Sequence, residues 1–243
     1  MQGTLERALS TIMGEDVQVA ASGRTDAGAH AVRQVVAFTT SSALPAGTMC
    51  RAANAVLPRN IAVIEAQDAV LSFHPRVDAR SRTYRYLIWN RATRSPFWEE
   101  RATHVKRPLD ESRMNEAAQR LLGIHDFSAF VPNALEGQRV RRIDGAVCRR
   151  DGDLVMVELQ GSGFMRQMVR SIVGTLVRVG LGKMTSTAFA AVLQSGERKA
   201  AGDTLPACGL YLVDVQYDAV AEPHDITDRG RHPSRLCSRE EYS

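Results

Sequence analysis

The chain has 243 residues, 44% of them hydrophobic and 24% charged, with a formal net charge of +4. That length suits one large domain or two small ones around a substantial core, and the composition is that of an ordinary soluble globular protein. No apolar run approaches the roughly 20 residues needed to span a bilayer, and no charged-then-apolar leader opens the chain, so neither membrane insertion nor secretion is expected and the cytoplasm is the expected location.

Taken in order, the pattern predicts a helix over about residues 4–13, with Leu5, Ala8, Leu9 and Ile12 on one face. β-Branched and aromatic residues mark strands at 17–20 and 34–40, joined by the run Ser22-Gly23-Arg24-Thr25-Asp26-Ala27-Gly28-Ala29-His30. A helix over 47–56 should end before Leu57-Pro58, because the residue preceding a proline avoids helical backbone. Strands are predicted at 61–64 and 79–89, the second with Tyr84, Tyr86 and Ile88 on one side. The charged, irregular stretch from Arg91 to Pro108 reads as a connection between two halves.

Beyond it, Met114, Ala117, Ala118, Leu121 and Leu122 predict a helix starting near Leu109-Asp110, and Asp151-Gly152 turns a hairpin over 142–160. A long amphipathic helix is expected over 165–179, then a short one over 187–193 and a strand over 209–217. Past Asp218 the chain is polar, aperiodic and carries two prolines, which predicts an unstructured tail. The division expected is therefore 1–95, 96–218 and a tail over 219–243, in an α+β fold with antiparallel pairing.

Three segments carry chemistry. In the Ser22–His30 run, strand-flanked glycines could let a substrate approach a displayed Asp26 carboxylate, although the same residue types make an ordinary surface turn. Arg80-Ser81-Arg82-Thr83-Tyr84-Arg85-Tyr86 interleaves arginines with aromatic rings, as phosphate holding and base stacking require; a half-buried strand with both tyrosines in the core is the alternative. In Gly161-Ser162-Gly163-Phe164-Met165-Arg166-Gln167-Met168-Val169-Arg170, Arg166 and Arg170 should project from neighbouring helical turns. Arg170 borders the apolar stripe, so it needs a carboxylate or hydrogen bonds to offset its desolvation. The four cysteines and six histidines are scattered, which predicts reduced thiols and no metal site. Only Lys106, Lys183 and Lys199 among 31 cationic side chains are lysines. The excess of arginine suits RNA, and a GC-rich genome would produce it equally well.

Arg-Thr-Asp followed by Ala-Gly-x-His resembles the active-site motif of the tRNA pseudouridine synthase A family. The resemblance extends over Tyr84-Arg85-Tyr86, over the Gly-x-x-Phe…Met-Val-Arg-x-Ile-Val-Gly block from Gly161 to Gly174, over Gly123–Phe130 and over Leu205–Leu212. It implies two similar α/β halves whose antiparallel sheets adjoin across a central basic cleft. The implied activity is isomerisation of uridine to pseudouridine in the anticodon stem-loop of tRNA, by a homodimer. Asp26 would be the nucleophile, Tyr84 would contact the target uracil and Arg170 would pair with Asp26. Arg24 is expected to help hold the opened RNA, and Arg166 to be a further RNA contact. The reaction involves no redox change and a carboxylate suffices for it, so no cofactor and no metal are expected; both C1′ of the ribose and C6 of the base are open to attack.

One departure stands out. The family begins with a strand carrying a Tyr-Asp-Gly type motif upstream of the Gln-Gly-x-Leu-Glu helix, whereas this chain starts at that helix. Met1 falls where the family usually has valine, which implies an internal GTG codon taken as the start and a longer natural protein. A catalytically impaired RNA-binding protein of the same fold, lacking that strand, is the alternative reading. A hydrolase using Asp26 and His30 as acid and base is a more distant rival.

Overall fold

Helix α1 (Gln2–Met13) forms where Leu5, Leu9 and Ile12 recur at helical spacing, and it stops at Gly14, whose φ of 71° suits glycine best. The computed structural model describes residues 1–132, 137–218 and 234–238. Strands β1 (Ala20–Ala21), β2 (His30–Ala31) and β3 (Val36–Thr39) follow, then α2 (Ala46–Val56), β4 (Glu65–Ala69) and the long β5 (Ala79–Trp89). Next come β6 (Thr103–His104), α3 (Glu111–Ala118), β7 (Gly123–Asp126), β8 (Val140–Asp151) and β9 (Leu154–Gly161). Helices α4 (Met168–Gly180) and α5 (Ser186–Ser195) precede β10 (Leu210–Tyr217), and β11 (Ser234–Ser238) is last. The fold is mixed α and β with mainly antiparallel pairing, and among the described residues no helix is long and apolar enough to cross a membrane.

Two units emerge, and neither is contiguous in sequence. One holds residues 1–24, 31–80 and the described residues from 214 onward; the other holds 25–30 and 81–213. The boundary expected at residue 95 thus falls inside the second unit. Its cause is the pairing of β5 with β9, register Arg82↔Gly161 through Trp89↔Leu154, which ties the segment before residue 95 to strands from much later.

In the first unit an antiparallel sheet runs β1-β3-β11-β4, and Leu9, Val19, Phe38, Met49 and Val63 form its core together with α1 and α2. Ile61–Ile64, expected as a strand, is not one: the Asn54 carboxamide occupies the Val63 backbone from both sides, accepting from its N–H at 2.7 Å and donating to its carbonyl at 2.6 Å. Val63 is still buried, and the strand forms just after, at β4. The tail expected to be unstructured contains β11, paired antiparallel with both β3 and β4; the rest of 219–243 lies outside the described residues. Its polar, proline-bearing composition gives no periodicity from which a five-residue strand could be read.

The second unit is built on a sheet of order β2-β10-β5-β9-β8-β7, with β6 parallel to the end of β5. Helix α3 packs on β8, and α4 and α5 pack on α3. Tyr86, Ile88, Met114, Phe127, Phe130, Leu159, Ile172 and Phe189 are fully buried there. Helix α4 begins at Met168 rather than Met165, because Gln167 takes a left-handed backbone (φ 63°), alone among the described non-glycine residues. Arg166 is therefore exposed in the turn before the helix, not on it.

Candidate active site

Asp26 sits in a locally closed turn, and the side chains that meet its carboxylate come from residues far away in sequence. The Asp26 carbonyl accepts from the Ala29 N–H at 3.0 Å, closing a turn whose third residue, Gly28, has φ 83°. That conformation is the reason a glycine stands there. His30 anchors the far end of the loop: its ring stacks on Tyr211 (centroids 4.6 Å apart, planes at 20°) and its Nε2 bonds to the Glu100 carbonyl at 2.8 Å. A histidine so occupied serves structure, which removes the ground for an Asp26–His30 acid–base couple.

Arg170, in the first turn of α4, donates from Nη1 to Asp26 Oδ2 at 2.5 Å and from Nε to the Leu205 carbonyl at 2.6 Å. The two side chains are only 15% and 23% exposed, so this pair is far less screened by water than a surface ion pair. Among the described residues Asp26 Oδ1 accepts no hydrogen bond, leaving that oxygen for a substrate.

A strap over residues 198–205 holds Arg170 from behind. Ser171 Oγ and Thr204 Oγ1 are hydrogen-bonded at 2.8 Å, and Thr175 Oγ1 accepts from the Gly202 N–H at 2.8 Å. Arg198 donates to the Gly202 carbonyl and to Thr204 Oγ1, each at 2.9 Å. Strap and helix touch backbone to backbone: a Cβ on Gly174 would lie 1.9 Å from the Asp203 carbonyl oxygen.

Tyr84 lies on β5, buried, with Phe164 edge-on to its ring at 5.1 Å between centroids. Burial pushes its hydroxyl above the usual tyrosine range; nearby Arg82 opposes the rise and the Asp26 carboxylate adds to it. Asp26 is thus close enough to be felt at Tyr84. Tyr86, two residues on, has another job. Its hydroxyl donates to the Pro206 carbonyl at 2.6 Å and is bonded to Thr103, while Gly209 leaves no room for a Cβ against its ring. It pins the segment that carries the Leu205 carbonyl.

Burial also pushes the Tyr211 hydroxyl up to about 12 and the Tyr86 hydroxyl further still. Phenols bound more tightly to their protons in the folded state stabilise it below the ordinary value of about 10, and that contribution disappears as pH rises through the folded values. Tyrosinate absorbance should accordingly lag that of the unfolded chain above pH about 10, then appear together with unfolding. Full titration of these phenols in a still-folded protein would contradict their burial.

Arg24 stands apart. It is exposed, belongs to the first unit and makes no hydrogen bond or ion pair among the described residues. His125 and Asp126 are structural: the imidazole bonds to the Leu122 carbonyl at 2.8 Å, and the carboxylate caps a short turn through the Ser128 N–H (2.8 Å) and hydroxyl (2.5 Å). Sequence reasoning gave no role to Leu205, Thr204 or Tyr211. Leu205 acts through a backbone carbonyl, which leaves no trace in residue type; the only available signal was that Leu205–Leu212 forms part of a recognisable block. Among the described residues no three His, Cys, Asp or Glu side chains gather as metal ligands.

A family profile described as tRNA pseudouridine synthase matches residues 117–218. Proteins called tRNA pseudouridine synthase A from Pelobacter propionicus and Geotalea uraniireducens are each 44% identical to the chain over 218 residues, covering 89% of it and 89% of the relative. The protein of that name from Acetivibrio thermocellus is 41% identical over the same shares. The chain belongs to the tRNA pseudouridine synthase A family, a family of isomerases.

Proposed function

We propose that this chain isomerises uridine to pseudouridine in the anticodon stem-loop of tRNA, with Asp26 as the nucleophile. The observation that carries the reading is the shielded Asp26–Arg170 ion pair next to Tyr84. A carboxylate held by a guanidinium through one oxygen is oriented and keeps the other for attack. The conversion breaks the N1–C1′ bond and forms a C5–C1′ bond, while C5 gives up a proton and N1 gains one. Atoms and electrons balance with no oxidant, reductant or added group, so the reading invokes neither cofactor nor metal.

A stem uridine must leave its stack, which costs a few kcal/mol, and contact with the Tyr84 ring would return about 1–3 kcal/mol. Arg24, exposed and uncommitted, would hold the opened strand through its phosphates. The reading includes the family's two similar halves about a basic cleft, a homodimer, and a cytoplasmic location. Asp26, Tyr84 and Arg170 occurring together favours an active enzyme over an RNA-binding protein without turnover.

Tritium release from tRNA labelled at uridine C5 tests it. Asp26→Asn and Asp26→Glu should both bind tRNA with unchanged affinity and release no tritium. Substantial release by Asp26→Asn would remove Asp26 from the nucleophile's role.

A further inference from the structure

Outside the active site, the second unit contains a cavity of about 290 Å³ at the end of β5. Trp89 and Trp98, the chain's only tryptophans, both line it, with ring centroids 6.3 Å apart and planes at 19°. Arg94, His104 and Glu99 line it as well, with Arg94 paired to Glu99 at 3.3 Å, and Pro206 and Thr103, the two partners of the Tyr86 hydroxyl, form part of its wall. The loop that carries Trp98 is held in place: Trp98 donates its N–H to the Ser95 carbonyl at 3.1 Å and accepts from the Ala102 N–H at 2.9 Å. Trp89 Nε1 is fixed by the Thr93 carbonyl at 3.0 Å.

The adjoining chain is positively charged. Arg101, Lys106 and Arg107 are exposed, and none has a carboxylate partner among the described residues. Phe97, 85% exposed, precedes Trp98 in the same loop. Indole faces beside unpaired cations are the combination that holds single-stranded nucleic acid, rings against bases and cations against phosphates.

We propose that this cavity is a second RNA subsite, where an unpaired nucleobase of the substrate stacks on the Trp89–Trp98 pair while Arg101, Lys106 and Arg107 hold its phosphates. The proposal rests on the reading that the substrate is tRNA. Because Pro206 in the cavity wall directly follows Leu205, the last residue of the strap behind Arg170, an occupied subsite bears on the residue next to the one that holds the catalytic pair. It would add affinity and register while leaving the chemical step alone.

The chain supplies its own probe, since all tryptophan emission comes from this one place. Titration of the full-length protein with tRNA should quench that emission saturably, and uridine 5′-monophosphate should do so weakly at high concentration. Trp98→Ala should raise KM for tritium release about tenfold with kcat within about twofold of wild type, and Trp98→Phe should recover most of the loss. Arg101→Gln provides a second variant that leaves the cavity wall intact, and it should raise KM about threefold and reduce the salt dependence of binding. Emission unchanged at saturating tRNA, or a wild-type KM in both Trp98→Ala and Arg101→Gln, would overturn the subsite. Failure of the catalytic reading looks different: emission would be quenched while no tritium is released.

Discussion

Gly174→Ala is expected to cost the protein both stability and nearly all turnover, although the glycine contacts no substrate. Helical glycines are ordinarily improved by alanine, which gains about 1 kcal/mol of helix propensity. Here the added methyl would lie 1.9 Å from the Asp203 carbonyl oxygen and 3.1 Å from its carbon, so a backbone has to move. Gly202 faces the same contact from the strap, its own Cβ position only 2.7 Å from the Gly174 carbonyl oxygen. Overpacking of this kind costs about 1–3 kcal/mol or somewhat more, which for a chain of this size lowers Tm by roughly 5–10 °C. The strap would swing outward and take the Leu205 carbonyl away from Arg170 Nε. A misplacement of about 1 Å at a catalytic group costs on the order of 100-fold in rate. Thermal melting and single-turnover tritium release measure the two losses separately. A variant with lowered Tm and wild-type turnover would show that the strap does not position Arg170.

Arg170→Met should be the more damaging change for catalysis and the milder one for folding. It removes the hydrogen bond to Asp26 Oδ2 and the donor to the Leu205 carbonyl together. Breaking a shielded pair by deleting one partner costs about 3–5 kcal/mol when the remaining charge has no access to water. Asp26 is 23% exposed, so water can replace part of what is lost and the stability cost should be nearer 1–2 kcal/mol. Turnover has no such relief, because water does not orient a carboxylate; kcat should fall on the order of 1,000-fold, with tRNA affinity nearly unchanged. Arg170→Lys keeps the charge but not the two divergent donors, and should recover only part of the rate. Equal activity in the methionine and lysine variants would mean that the positive charge at position 170 is irrelevant to turnover.

How far the fold could be read beforehand depended on whether side chains or backbone atoms did the work. Strand β5 was legible to the residue, since Tyr84, Tyr86 and Ile88 alternate with less buried neighbours as a strand with one buried face requires. The α3 helix and the β8–β9 hairpin were legible for similar reasons, spacing in one and Asp151-Gly152 in the other. The start of α4 was not, because nothing in Met165-Arg166-Gln167 announces a left-handed glutamine. Nor was the failure of Ile61–Ile64 as a strand, which turns on one asparagine seven residues upstream of Ile61.

The site divides along the same line. Asp26, Tyr84 and Arg170 could be picked out as residue types within recognisable strings. What holds them could not: the Leu205 and Pro206 carbonyls, the close approach of Gly174 to Gly202, and the stacking of His30 on Tyr211 all join points far apart along the chain. Residue type says little about such contacts, because a carbonyl belongs to every residue and a small residue has many uses.

The non-contiguous second unit has a consequence for synthesis. The hexapeptide around Asp26 leaves the ribosome early, yet the residues it docks against extend to Tyr211. At about 5–20 residues per second, the nascent nucleophile waits on the order of 10–40 seconds for its surroundings to emerge. A product terminated before Arg170 therefore carries the aspartate but neither the guanidinium nor the carbonyl that aim it, and it should release no tritium from labelled tRNA.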